Sequence, residues 1–287
     1  MRRAWQGLPV TELHSPDGAC AVVADHGAHV LSWTPAGDAA SEALFLSAAT
    51  GGGDGVAIRG GVPVIFPQFA ERGPGRRHGF ARIRPWRQIF AGIEEGVAVA
   101  RYCLTDGDLQ PGDLPSGEAI HGPGRFLLEY SVAVHGAELH LALTVSNTDS
   151  RAWGFMAALH TYLAVTDVAQ VALRGLRGLR YLDQTAAGAE VIQQVETLTI
   201  SGEVDRIYAD VNAPLELVDG DRCISLNQTG FADAIVWNPG TIKDAALSDL
   251  MPGDGHRFLC VEAGTVLQPV TLAPGASWQA SQTMRVC

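Results

Sequence analysis

Lysine is almost missing from this 287-residue chain: nineteen of the twenty basic residues are arginine, and the exception is Lys243. A bias that uniform makes a lone arginine uninformative, so only clusters count. Basic charge as a whole is also scarce, since 31 acidic residues leave a formal net charge of −11. That balance argues against nucleic-acid binding, which needs a basic field. Cysteine appears only at 20, 103, 223, 260 and 287, with no CxxC pair, so neither a disulfide framework nor a structural zinc site is expected. Buried or free thiols in a reducing compartment fit this usage. HExxH and other paired metal-ligand spacings are missing, so no metal is expected. A GxSxG nucleophile elbow and a GxxxxGK[ST] phosphate loop are missing too, which speaks against a serine hydrolase and a nucleotide site. No long apolar run follows Arg2 and Arg3, so no secretory signal is expected. The most apolar segment, FMAALHTYLAV, contains a histidine and is too short to span a bilayer. A cytoplasmic protein with no membrane partner is the expectation.

Hydrophobic residues make up 47% of the chain, enough for a sizeable core. Their spacing points to strands. In FLLEYSVAVHGAELHLALTVSNT, Leu139, Leu141, Leu143 and Val145 alternate with His140, Ala142, Thr144 and Ser146, the period of a half-buried strand. His135-Gly136-Ala137 supplies a hairpin turn. VAVARYCL, CISLNQTG, DAIVWNP, RFLCVEAG and WQASQTMRV read as further strands, and ACAVVADHGAHVLSW as two strands around Asp25-His26-Gly27. Helical signals are few, and KDAALSDLM (243–251) is predicted as two turns before Pro252. With 33 glycines and 15 prolines punctuating short strands, the pattern predicts an all-β sandwich or barrel. No linker-like shift in composition divides it, so residues 1–287 are expected to form one domain. Asp106 to Gly124 reads as a long surface loop.

Positive charge gathers in one stretch. Between 59 and 87 stand arginines 59, 72, 76, 77, 82, 84 and 87 against one acid, Glu71. A guanidinium binds phosphate in bidentate fashion and keeps its charge. Gly60 and Gly61 allow close backbone approach, and Arg59 and Arg82 could converge if the segment folds back. The same residues could equally form a solvated basic loop. His160 interrupts an apolar strand in AALHTYLAV, as a core histidine or a proton-transfer group. Glu262 closes the apolar run Phe258-Leu259-Cys260-Val261, where a carboxylate is costly to bury unpaired. Asp205-Arg206 reads as a surface ion pair or as part of a site, and His78 as loop structure or a ligand contact.

Taken in order, RGGVPVIFPQF, HGFAR, LHTYLAV, GEVDRIY, VWNP and CVEAG resemble the hexose-6-phosphate mutarotases, relatives of the aldose 1-epimerases. The resemblance runs from about residue 20 to the C-terminus. It implies a large antiparallel β-sandwich of galactose-mutarotase type with few short helices, working without a cofactor. It implies an isomerase that interconverts the α and β anomers of an aldohexose 6-phosphate, glucose 6-phosphate foremost, by ring opening and reclosure. By the same resemblance His160 and Glu262 are catalytic, and Arg59, Arg82 and Asp205 bind the sugar phosphate, with His78 and Arg77 in the same segment. One departure stands out: the family commonly has glutamine where this chain has Arg77, either a third phosphate ligand or a solvent-facing charge. A monomer is expected.

Three rival readings remain open on sequence grounds: a mutarotase for unphosphorylated aldoses, a non-catalytic sugar-binding protein on the same scaffold, and a glycosidase. The first would not need paired arginines. The second would not need His160 and Glu262 together. The third usually needs two carboxyl groups.

Overall fold

A computed structural model describes residues 2–37, 41–114 and 122–287. His121 and the middle of the loop expected over 106–124 therefore lie outside the described residues. The chain forms two large antiparallel sheets and a smaller one. The nine-stranded sheet centres on the predicted hairpin, Phe126–His135 and Glu138–Asn147, flanked by Val97–Thr105 and Ser277–Val286. The two hairpin strands pair His135 with Glu138 across a two-residue turn in which Gly136 has φ 56. Leu139, Leu141, Leu143 and Val145 are fully buried while the intervening residues face outward, as the alternation predicts. Each such leucine contributes about 2 kcal/mol by leaving water.

The eight-stranded sheet runs Ala189–Ile192, Arg180–Asp183, Val204–Tyr208, Asp233–Asn238, Phe258–Leu272, Trp153–Leu159, Val64–Ile65, and its eighth strand, Tyr162–Ala164, pairs with Phe258–Leu272 off this path. Successive side chains of a strand point to opposite faces, and this divides the sheet chemically. Leu259, Val261, Ala263, Ala234 and Val236 join the main core with the leucines of the nine-stranded sheet. Cys260, Glu262, Ile235 and Trp237 face the other way. The four N-terminal strands, Arg2–Trp5, Leu8–His14, Cys20–Ala24 and His29–Thr34, form a small sheet whose Leu13, Ala21, Val23 and Trp33 enter the same core. The fold is thus the antiparallel sandwich that the strand pattern and the resemblance both lead one to expect. Among the described residues no helix is long and apolar enough to cross a membrane.

Two local expectations are corrected. The helix predicted over 243–251 is instead one turn, Gly240–Asp244. The buried Asp244 carboxylate accepts from the N–H groups of Gly253 and Gly255, 3.1 Å each, and so holds the following segment in turns. The strand read through AALHTYLAV is broken: Trp153–Leu159 and Tyr162–Ala164 are strands, but His160 and Thr161 are not. The His160 N–H instead donates to the Pro63 carbonyl at 3.0 Å.

Candidate active site

The arginine-rich segment begins as a tight turn. Gly60 has φ 109 and Gly61 φ 59, and a Cβ on Gly61 would stand 2.1 Å from the Val30 carbonyl oxygen. The Gly60 carbonyl accepts at 2.7 Å from Nε2 of the buried His29. Val64–Ile65 then joins the sheet, and the chain loops out and returns at Gly79, where Phe80 N–H donates to the Phe66 carbonyl at 3.0 Å. Gln68 staples the loop from inside, accepting from Gly75 N–H at 2.7 Å and donating to the Ala70 and Gly75 carbonyls. Closure of this loop brings Arg59 and Arg82, 23 positions apart in sequence, to one cavity of about 730 Å³.

His160 and Glu262 also face that cavity, together with His78, Asp205, Arg77, Tyr162 and Trp237. Glu262 is 1% exposed at the side chain and His160 9%, and Nδ1 of the imidazole lies 3.3 Å from Oε1 of the carboxyl. The two groups meet because Phe258–Leu272 presents Glu262 on the cavity face and the strand break at 160–161 turns the imidazole towards it. The imidazole stacks on Tyr162, centroids 4.8 Å apart and 9° from parallel. Burial, then the fields of Arg82 and Arg59, push the His160 pKa well below its usual range. Burial, then Asp205, pushes Glu262 well above its own. Both shifts favour the uncharged forms, a neutral imidazole beside a protonated carboxyl. One proton shift separates this neutral pair from a carboxylate and an imidazolium, so either group can serve as acid or base.

Arg59 is held from three sides. Its Nε and a terminal nitrogen reach Asp249 Oδ2 at 3.0 and 2.9 Å, and its other terminal nitrogen donates to the Tyr162 hydroxyl at 2.9 Å. Burial works against its charge, but Tyr162 and Asp249 more than offset that. Arg82 differs. One terminal nitrogen donates to the Arg77 carbonyl at 3.3 Å, while its buried Nε has no partner among the described residues. Among the described residues it forms no ion pair with a carboxylate. Burial, and the nearby Arg59 and Arg77 charges beyond it, pull its pKa down to about 10.

His78 is buried at φ 61, and its Nδ1 accepts from Ala70 N–H at 3.2 Å, so Nε2 carries the ring proton. Burial raises the Asp205 carboxyl above its ordinary range. The ion pair read at Asp205-Arg206 is not formed: adjacent strand residues face opposite sides, and Arg206 pairs with Asp183 at 3.5 Å. Arg77 stands exposed at the cavity rim, 3.3 Å from Glu71. Arg76 leaves the cavity and donates to the Gly55 carbonyl at 3.2 Å. Arg84 is buried in a bidentate pair with Asp113, 2.6 and 2.7 Å, and anchors the segment. Tyr162, Trp237 and Asp249 were not singled out from sequence. Tyr162 was within reach of such a reading, two residues past His160, but nothing in ALSDLM marks Asp249 as an arginine partner.

A two-sheet antiparallel sandwich with a buried imidazole–carboxyl pair lining a cavity defines a design for acid/base chemistry on a small polar ligand. The chain belongs to the aldose 1-epimerase family, whose model matches residues 9–285. It is 32% identical over 279 residues to a protein from Cenchrus ciliaris provisionally named glucose-6-phosphate 1-epimerase, covering 95% of this chain and 83% of that one. A protein of the same provisional name from Escherichia coli K12 is 30% identical over 307 residues, with 97% of each covered. The crystal structure of a provisionally assigned mutarotase from Salmonella typhimurium superposes with a TM-score of 0.85 at 28% identity, covering 100% of this chain and 92% of that one. The protein is accordingly an isomerase of the epimerase type, acting on the anomers of an aldose.

Proposed function

We propose that the substrate is an aldohexose 6-phosphate, glucose 6-phosphate foremost, with its phosphate on Arg82 and Arg59 and its anomeric carbon against His160 and Glu262. The observation that carries this reading is Arg82: a guanidinium facing the cavity, its Nε buried and unpartnered. A buried charge without a partner is costly, and a phosphate dianion supplies the partner. Arg59 lies beside it, and the names of the relatives point the same way.

The chemistry follows from the pair. The base removes the proton of the anomeric hydroxyl while the acid protonates the ring oxygen. The C1–O5 bond breaks, giving the open-chain aldehyde. C1 then rotates about C1–C2, and the O5 hydroxyl adds to its other face with the proton roles reversed. Glu262 is the base and His160 the acid in the opening step. Bound phosphate favours this assignment, because it offsets the Arg82 and Arg59 fields that hold the imidazole neutral. His78, through Nε2–H, and Asp205 hold sugar hydroxyls, and Arg77 reaches the phosphate from the rim. Every group named comes from one chain, so a monomer suffices. A sugar phosphate also fits a cytoplasmic enzyme.

An unphosphorylated aldose is the second reading, and Asp249 favours it, since it already neutralises Arg59. The substitution Arg82→Ala separates the two. For a sugar phosphate, kcat/KM on glucose 6-phosphate falls by about 10–100-fold, the value of a charge-assisted hydrogen bond, while that on glucose is little changed. Equal effects on both sugars would refute the phosphate assignment.

A further inference from the structure

We propose that the floor of the cavity also binds one thiophilic divalent cation, of the zinc or cadmium kind, through His160, Cys260 and Glu262, and that this ion blocks the enzyme. Cys260 and Glu262 stand two residues apart on Phe258–Leu272 and so point to the same face. The strand break sets His160 beside them. One donor atom from each of the three lies within 4.8 Å of the others. All three residues are buried, and His160 Nδ1 and Glu262 Oε2 have no hydrogen-bond partner among the described residues.

The donor chemistry fits a three-ligand zinc site, which combines imidazole, thiolate or carboxylate and leaves a fourth position open. Bond lengths of about 2.0–2.3 Å require the carboxyl and the thiol to draw inward from their present spacing by side-chain rotation. The cavity supplies the fourth position, where the anomeric oxygen of a sugar would otherwise sit. Metal and sugar therefore exclude one another.

The surrounding charges select the kind of ion. Arg59, Arg82 and Arg77 oppose any dication, Asp205 attracts it, and Asp249 is engaged by Arg59. A hard ion such as magnesium prefers oxygen donors and gains little from sulfur. A thiophilic ion gains the Cys260 bond, which forms as the thiol and the protonated Glu262 carboxyl each give a proton to solvent, with no change of oxidation state. Burial, then Glu262, pushes the Cys260 thiol pKa well above its usual value.

The test is cadmium binding to the sugar-free protein, read by calorimetry and by the thiolate-to-cadmium charge-transfer absorbance. Wild type is compared with Cys260→Ser, Cys260→Ala and, as a control for a half-buried thiol outside the cavity, Cys20→Ser. Thermal midpoints show which variants are folded. The expected result is one site whose absorbance band survives Cys20→Ser but disappears in both Cys260 variants. Their affinity falls by more than the roughly 10–100-fold typical of losing an outer-shell partner. Micromolar zinc or cadmium then inhibits wild-type mutarotation, a chelator restores it, and magnesium does neither. Unchanged cadmium affinity in a folded Cys260 variant would overturn the proposal, as would equal inhibition by magnesium. Binding is read without substrate, so the outcome does not depend on the sugar-phosphate reading.

Discussion

His160 and Glu262 are the most informative pair of side chains because their environments push them in opposite directions towards the same neutral state. Removing either should lower kcat for mutarotation by roughly 10²–10⁴-fold, measured by polarimetry on His160→Ala and Glu262→Gln. Undiminished rates in both would exclude them as the proton-transfer groups. The depressed His160 pKa gives a second expectation. Saturating inorganic phosphate should raise it, because the arginine fields are among its causes. The readout is the imidazole Cε1 proton shift against pH, with and without phosphate, and an unchanged midpoint would place the anion elsewhere. Much of this was legible at the residue level: His160 breaks an apolar run and Glu262 ends one, and each is costly to bury without purpose. Their meeting was not legible, because it depends on strand pairing across about a hundred residues. Asp249 was invisible for a related reason, since it reaches Arg59 only through turns that Asp244 organises.

The elements around the site place side chains by interrupting regular structure. The break at 160–161 aims the imidazole, and the Gly60-Gly61 turn presents Arg59. At Gly61 an added methyl would be both too close to the Val30 carbonyl and confined to a left-handed backbone. Gly61→Ala should therefore cost more than about 1 kcal/mol of stability, visible as a lower thermal midpoint, and should weaken sugar-phosphate binding by displacing Arg59. A variant as stable as wild type would show that the turn tolerates a side chain. The hairpin at 126–147 was readable to within a residue at its turn and its end because its alternation is regular and its turn carries glycine. The helix expected at 243–251 failed because the apolar spacing there serves turns that pack around a buried Asp244, and periodicity does not separate the two. The strand through His160 was misread in the same way: apolar composition continues where the hydrogen bonding stops.

At the scale of the molecule, the acidic chain and its basic loop are reconciled by distribution. Several of the arginines between 59 and 87 serve structure, as Arg84 does with Asp113, and Arg59 and Arg82 face the cavity. The all-β class was legible from strand count and turn spacing, which left sandwich and barrel open, whereas strand order was not legible, because pairing is set by long-range packing. Buried histidines shape the acid stability. Burial lowers His29 from 6.5 to about 3, and His26, His78 and His160 shift the same way. Between those values the unfolded chain binds protons that the folded His29 refuses, so stability falls as pH falls from 6.5. Inside that window His29 contributes a slope of up to about 1.4 kcal/mol per pH unit. The raised carboxyls of Glu262, Asp205 and Asp233 act oppositely, stabilising at low pH and losing that contribution as pH rises. Denaturant melts of His29→Gln between pH 4 and 6.5 should show an acid limb shallower than wild type by about one histidine's slope; an identical limb would mean that His29 titrates normally. The central claim is that this sandwich places a sugar phosphate between its arginines and its acid/base pair. NMR exchange spectroscopy of the α and β anomers, with wild-type enzyme and equal concentrations of glucose 6-phosphate and glucose, tests it most directly. The account predicts a kcat/KM for the phosphate at least about tenfold higher, as one charge-assisted contact would give, and equal values or a preference for free glucose would contradict it.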